Sequence, residues 1–230
     1  MKPLITLLIA LPLLSATAIA DLSEGNRAYF DGDYDIALRE LTPLATENNP
    51  RAQYLLGRMY RDGDGAPQNV VEAYHLFSNA AQNGYPEAQF ALGQLYEKGR
   101  GVPSDFQQAI DWYYSAAKQG LADANYALGQ IYEEGKGVPR DESRALDWYS
   151  LAAVQNHALA QFKLGSFYQY GKGVPRSPLK AYQWYYLAAK RGVFQASIEM
   201  DKLSANLTST DIDLAQQRAE GWMARQSLAH

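Results

Sequence analysis

The chain has 230 residues, 47% of them hydrophobic, with a formal net charge of −4 and no cysteine. The apolar content is ample for a core, but the length is too great to assume one compact globule. The lack of cysteine excludes disulfides, a lipid-modified cysteine at a cleavage site, thiolate metal sites and a cysteine nucleophile. The acidic balance argues against nucleic acid or an anionic membrane as the main ligand.

Met1-Lys2 is followed by an eleven-residue apolar run from Leu4 to Leu14, and Ala18-Ile19-Ala20 precedes Asp21. A short positive start, a short apolar segment and a small-x-small site read as a cleavable secretory signal over residues 1–20. The run is too short for a membrane anchor, which needs about 20 apolar residues. The expected mature chain starts near Asp21, in the periplasm or, as the alternative, secreted, with no stable membrane insertion. Loss of Lys2 would bring its net charge near −5.

Residues 21–50 open the folded part. Ala37, Leu38, Leu41, Leu44 and Ala45 fit one face of a helix, Gly32-Asp33 breaks the chain before it, and Asp33 is available as an N-cap. This segment reads as a shorter helical pair. Glu47-Asn48-Asn49-Pro50 then punctuates the chain.

Four units follow, over residues 51–86, 87–122, 123–158 and 159–192. Their skeleton is clearest at Ala124–Pro139, Ala-x-Tyr-x-Leu-Gly-x-x-Tyr-x-x-Gly-x-Gly-Val-Pro, and the glycines Gly57, Gly93, Gly129 and Gly165 fall 36 residues apart. A fixed period of this length marks a stacked array in which each unit buries its apolar face against its neighbours. In the first helix of a unit, Ala124, Leu128, Ile131 and Tyr132 share one face, and Tyr60, Tyr96, Tyr132 and Tyr168 are expected in the core. A mid-helix glycine costs about 1 kcal/mol relative to alanine. Its return at every period predicts a close helix–helix approach. Gly-x-Gly-Val-Pro ends the helix, with glycine as a left-handed cap and proline preventing continuation. Asp105 and Asp141 are N-cap candidates for the second helix. That helix reads Ala-x-x-Trp-Tyr-x-x-Ala-Ala, and the first unit has Leu76 in the tryptophan position. Gly84, Gly120, Asn156 and Gly192 close the units.

After Gly192, Ala196, Ile198 and Leu203 suggest one more first-type helix. Leu207–Asp211 gives a turn with an N-cap candidate, and a last helix has Ile212, Leu214, Ala215, Ala219 and Trp222 as apolar contacts. Gln216, Gln217, Arg218 and Glu220 supply the polar outer face that an array end needs. Residues 193–230 read as C-terminal capping helices.

Together the Leu-Gly, Gly-x-Gly-Val-Pro, Trp-Tyr and Ala-Ala elements resemble the Sel-one-like repeat (SLR) family, relatives of the tetratricopeptide repeats. The likeness is strong over residues 51–192 and looser over 23–50. It implies an all-α fold, a curved right-handed solenoid of antiparallel helix pairs. Ala66 for valine, Leu76 for tryptophan and Ser177 for the usual acid are mild departures.

Little in the sequence carries chemistry. His75, His157 and His230 are far apart, and no carboxylate completes a metal pattern. Asp62-Gly63-Asp64-Gly65 starts like a calcium loop but lacks the later ligands and occupies the turn found in every unit. The Gly-x-Gly turns lack the Gly-Lys-Ser/Thr of a phosphate loop. The Asn206-Leu207-Thr208 sequon reads as accidental, and no serine sits in a nucleophile elbow. A non-catalytic protein without cofactors or metals is expected.

The remaining candidate is a surface. Tyr126, Gln130, Glu133 and Glu134 lie opposite the Leu128 stripe, at about 160°, 200°, 140° and 240°. Their equivalents are Tyr54, Arg58 and Arg61; Phe90, Gln94 and Glu97; and Phe162, Ser166 and Gln169. The resemblance makes this side the concave groove and the candidate partner-binding face. The aromatics there can serve as interface hot spots or can pack between adjacent first helices. The family includes adaptors, envelope and motor components and immunity proteins. The expected function is an exported module that binds a protein partner in this groove, in its most concrete form an immunity protein that neutralises a lipase-type antibacterial effector. The alternatives are an assembly component of the envelope or flagellar motor, and a cell-wall or β-lactam hydrolase.

Overall fold

The computed structural model describes residues 21–227; the signal-peptide reading falls on residues 1–20, outside them. Among the described residues the chain forms twelve helices and no strand: α1 (Leu22–Asp31), α2 (Tyr34–Thr46), α3 (Pro50–Asp62), α4 (Val70–Gln82), α5 (Pro86–Lys98), α6 (Phe106–Lys118), α7 (Ala122–Glu134), α8 (Glu142–Val154), α9 (Ala158–Tyr170), α10 (Pro178–Lys190), α11 (Phe194–Ser204) and α12 (Ser209–Ser227). Each helix from α1 to α11 packs mainly on its sequence neighbours, and α12 folds back onto α10. The result is an α-solenoid of helix pairs rather than a single globule.

The local chemistry follows the repeat. Gly63, Gly99, Gly135 and Gly171 cap the first helices in the left-handed conformation. Asp105 and Asp141 accept backbone N–H bonds at the start of α6 and α8, and Asn69 and Ser177 do the same for α4 and α10. Asp33 stands at the N-cap of α2 but makes no side-chain cap bond there. Thr208 caps α12: its hydroxyl accepts from the Asp211 N–H, and the Asp211 carboxylate accepts from the Thr208 N–H in return.

The mid-helix glycines do permit close approach. A Cβ on Gly129 would lie 2.6 Å from the Tyr149 ring of the paired helix, and one on Gly165 would lie 2.5 Å from the Tyr185 ring. Tyr113, Tyr149 and Tyr185 of the second helices are therefore the large buried aromatics, with Phe77 in their place in unit one. Tyr60, Tyr96, Tyr132 and Tyr168 are only half-buried, contrary to expectation. They lie at the edge of the core, where Tyr96 meets Tyr74 of α4 through their hydroxyls at 3.1 Å. That bond, with burial, pushes the Tyr96 phenol up to about 12.

Adjacent units are joined by a second repeating contact. The Gln53, Gln89 and Gln161 amides each donate to the Ala45, Ala81 and Ala153 carbonyls at 3.1 Å, across the preceding second helix's C-terminal end. Asn125 is too short to do this and bonds the carbonyl of Leu121, the N-cap of its own helix, instead. The second glycine of each turn also touches the unit before it: a Cβ on Gly137 would lie 2.4 Å from Phe106.

At the C-terminal end, Ala196, Leu203, Ala215 and Ala219 are buried, but Ile198 and Leu214 are exposed. Gln216 and Glu220 do not simply face water. They turn toward α10, where Gln216 donates to the Tyr182 hydroxyl and Glu220 accepts from that of Tyr186.

Candidate functional site

The first helices α3, α5, α7 and α9 present the predicted residues on one side of the stack. The structure brings eight of them into two adjoining clefts. Tyr54, Arg58, Arg61, Phe90 and Gln94 line a cleft of about 250 Å³ between units one and two. Phe90, Gln94, Glu97, Tyr126 and Gln130 line one of about 230 Å³ between units two and three. Glu133, Glu134, Phe162, Ser166 and Gln169 lie outside these two clefts.

The aromatics of this face are half-buried and rest on the second helices. Tyr54 lies 5.9 Å from Phe77, Phe90 5.4 Å from Tyr113, Tyr126 5.5 Å from Tyr149 and Phe162 5.4 Å from Tyr185, by ring centroids. Of the two roles open to them, this is packing, though onto the paired helix. The outer edges of Tyr54, Phe90 and Tyr126 still form cleft walls.

The position shared by Arg61, Glu97, Glu133 and Gln169 does a specific job. The Tyr113 hydroxyl donates to Glu97 at 2.7 Å, Tyr149 to Glu133 at 2.7 Å and Tyr185 to Gln169 at 2.5 Å. In unit one Phe77 has no hydroxyl, and Arg61 instead lies over its ring at 6.0 Å while pairing with Asp62. Lysines of the following unit close the network: Lys136 reaches Glu97, and Lys163 and Lys172 reach Glu133. Burial and then the carboxylate bonds push the Tyr113 and Tyr149 phenols far up. Burial opposes ionisation of Glu133, but Lys163, the Tyr149 hydroxyl and Lys172 together hold its carboxyl below the ordinary value. Glu97 and Glu133 are therefore spent largely on joining units.

Arg58 is different. Its guanidinium lies 5.2 Å from the Tyr29 ring and 5.8 Å from that of Tyr54, and it forms no ion pair among the described residues. Two rings hold a cation whose N–H edge is free for an incoming acceptor.

Two residues of this face escaped the sequence reading. Asp123 lines both clefts, and His157 pairs with it at 3.2 Å while stacking on Tyr126 and accepting the Ala160 N–H as the cap of α9. The hydrogen bond from His157 lowers the Asp123 carboxyl, against burial. A histidine following Asn156, in a repeat junction, was the available signal. Among the described residues, no group of three or more His, Asp or Glu side chains is placed to share a metal ion, and no helix is long and apolar enough to cross a membrane.

Comparison with known proteins agrees with this architecture. The family model for the Sel1 repeat matches residues 50–85, 86–121, 122–157 and 158–193. The crystal structure of a Sel1 repeat protein from Oxalobacter formigenes superposes with a TM-score of 0.74 at 32% identity, over 89% of this chain and 81% of that one. A protective antigen of uropathogenic Escherichia coli with an SLR fold gives 0.54 at 26% identity, over 86% of this chain and 51% of that one. The Pseudomonas aeruginosa immunity protein Pa5087 gives 0.53 at 18% identity, over 90% and 83%, and so shares the fold alone. No curated protein matches the chain. The fold is the right-handed α-solenoid of these proteins, and the chain belongs to the Sel1 repeat family.

Proposed function

We propose that the chain is a non-catalytic, exported module that binds a protein partner across the first-helix face of units one to three. The observation that carries this reading is the pair of adjoining clefts, whose walls come from positions that change between units. Sel1 repeats mediate protein–protein interactions, and such a face is where a solenoid varies without disturbing its core. Arg58, held between two aromatic rings and in no direct ion pair among the described residues, makes an acidic group on the partner the natural anchor. The periplasm is the compartment we assign, on the apolar N-terminal segment.

In its more specific form, the module inhibits a secreted effector, as an immunity protein does. Two Pseudomonas aeruginosa immunity proteins share this fold, which supports the form only by analogy. Purification from the native periplasm in gentle salt should retain one stoichiometric protein. Arg58→Glu, at unchanged melting temperature, should release it. An empty purification, or retention by the variant, would overturn the proposal.

A further inference from the structure

Unit one departs from the other three on the opposite side of α3. Tryptophan holds one repeat position in α6, α8 and α10, and Trp112, Trp148 and Trp184 each pack over the core made by their own first helix and the preceding second helix. In α4 that position is Leu76, set on the core of α2 and α3. A cleft of about 410 Å³ opens there, running from Tyr60 and Leu76 through to Ala45 and Thr46 of α2, with Gln53 in its wall. In unit three the equivalent depression is bounded by Tyr132, Arg144 and Trp148, and no residue of α6 lines it. That depression measures about 320 Å³ and stops at the indole, whereas the unit-one cleft runs past the leucine to α2.

Two more substitutions converge on the same place. In unit two the Gln89 carbonyl accepts from Gln119 at 2.8 Å. Unit one has the shorter Asn83 there, and the carbonyl of Gln53, a residue only 2% exposed, has no partner among the described residues. Gln161 in unit four shares that feature, in a unit whose second helix carries Trp184 at the Leu76 position. Glu72 stands where units three and four carry Arg144 and Lys180, whose cations lie 5.5 Å and 5.1 Å from the Tyr132 and Tyr168 rings. Tyr60 therefore shares its cleft with a carboxylate, not with a cation over its ring.

We infer that this cleft is a second binding site, which takes an indole side chain carried by a protein partner next to a positive charge. The partner supplies in trans the ring that the other units supply themselves. The indole N–H provides a donor for an acceptor-lined pocket, and Glu72 selects a cationic neighbour. Leu56 and Tyr60 lie about 200° and 240° around α3 from Tyr54, so this site stands or falls separately from the groove.

The test is an NMR titration of the full chain with tryptamine and with indole-3-acetate. Tryptamine should bind saturably, with a Kd on the order of 1 mM for a fragment of this size, and shift amides of α2, α3 and α4. It should bind about threefold more tightly than indole-3-acetate, and Glu72→Gln should make the two equal. Leu76→Trp, which restores the residue found in the other units, should abolish binding of both while keeping or raising the melting temperature. Absence of saturable tryptamine binding, equal affinities in the unsubstituted chain, or undiminished binding by Leu76→Trp would each overturn the inference.

Discussion

Unit one and unit three are built on the same skeleton yet solve the same contacts with opposite chemistry. In unit three, Tyr149 fills the space over Gly129, and Glu133 takes its hydroxyl and two lysines. In unit one, Phe77 fills the equivalent space over Gly57, and Arg61 sits over the ring. In unit three Trp148 packs over the core of α6 and α7 and bounds a shallower depression, whereas in unit one the cleft beside Leu76 reaches α2. The comparison teaches that packing volume is held fixed while polarity and coverage are free to change. The changes cluster at the end of the array that also carries Arg58.

Core volume should dominate any attempt to break this parallel. Leu128→Ala removes a buried side chain between well-packed neighbours and should cost about 2–5 kcal/mol, read by denaturant unfolding. Leu56→Ala, beside the unit-one cleft, should fall at the low end of that range because its surroundings are already open. Next come the glycines. Gly129→Ala and Gly57→Ala each drive a methyl to within 2.6 Å of an aromatic ring. Each should lose about 1–3 kcal/mol despite alanine's better helix propensity, and markedly unequal losses would mean that the two units are not packed alike.

Polar contacts should separate the units. Tyr149→Phe leaves Glu133 one donor short and should cost about 1 kcal/mol. Phe77→Tyr adds a hydroxyl beside Arg61, whose neighbouring carboxylate, Asp62, is already taken by the guanidinium, and should stabilise nothing. The smallest effect is in pH. The folded Glu133 carboxyl is held below its ordinary value of 4.5. Its contribution is therefore complete above about pH 4.5 and is lost as pH falls below that. A melting series from neutral to acid pH should show Glu133→Gln losing stability near neutrality and showing a flatter acid limb. An acid limb as steep as that of the parent would contradict the network.

Much of this was legible because single residues impose it. Only glycine or asparagine suits Gly84, Gly120, Asn156 and Gly192, all at positive φ, and only the absence of a side chain lets Tyr149 lie over Gly129. The candidate face was legible as a helix phase, and its clefts formed from the residues of units one to three. What the phase could not show was which partner each side chain prefers. Glu97 and Glu133 look free on a helical wheel but take hydroxyls from 16 residues ahead and lysines from 39 residues ahead. The half-buried tyrosines Tyr60 and Tyr132 share the apolar stripe but end at its rim, against the next helix's polar start. Leu76 passed as a mild departure, since the loss of an indole is visible only when the space it would fill is in view.

The main partner groove lies on the first helices of units one to three, and α6 and α8 of units two and three serve the fold. The most direct test is the affinity of the complex recovered with the unsubstituted chain, compared for charge changes on the two sides. Gln94→Glu with Gln130→Glu sets negative charge in the clefts against the partner's acidic group, and Asp111→Lys with Asp147→Lys alters exposed positions of α6 and α8. The first pair should weaken the partner at least tenfold at unchanged melting temperature, and the second should change it by less than twofold, as expected for surface changes outside an interface. The reverse ranking would contradict the central claim.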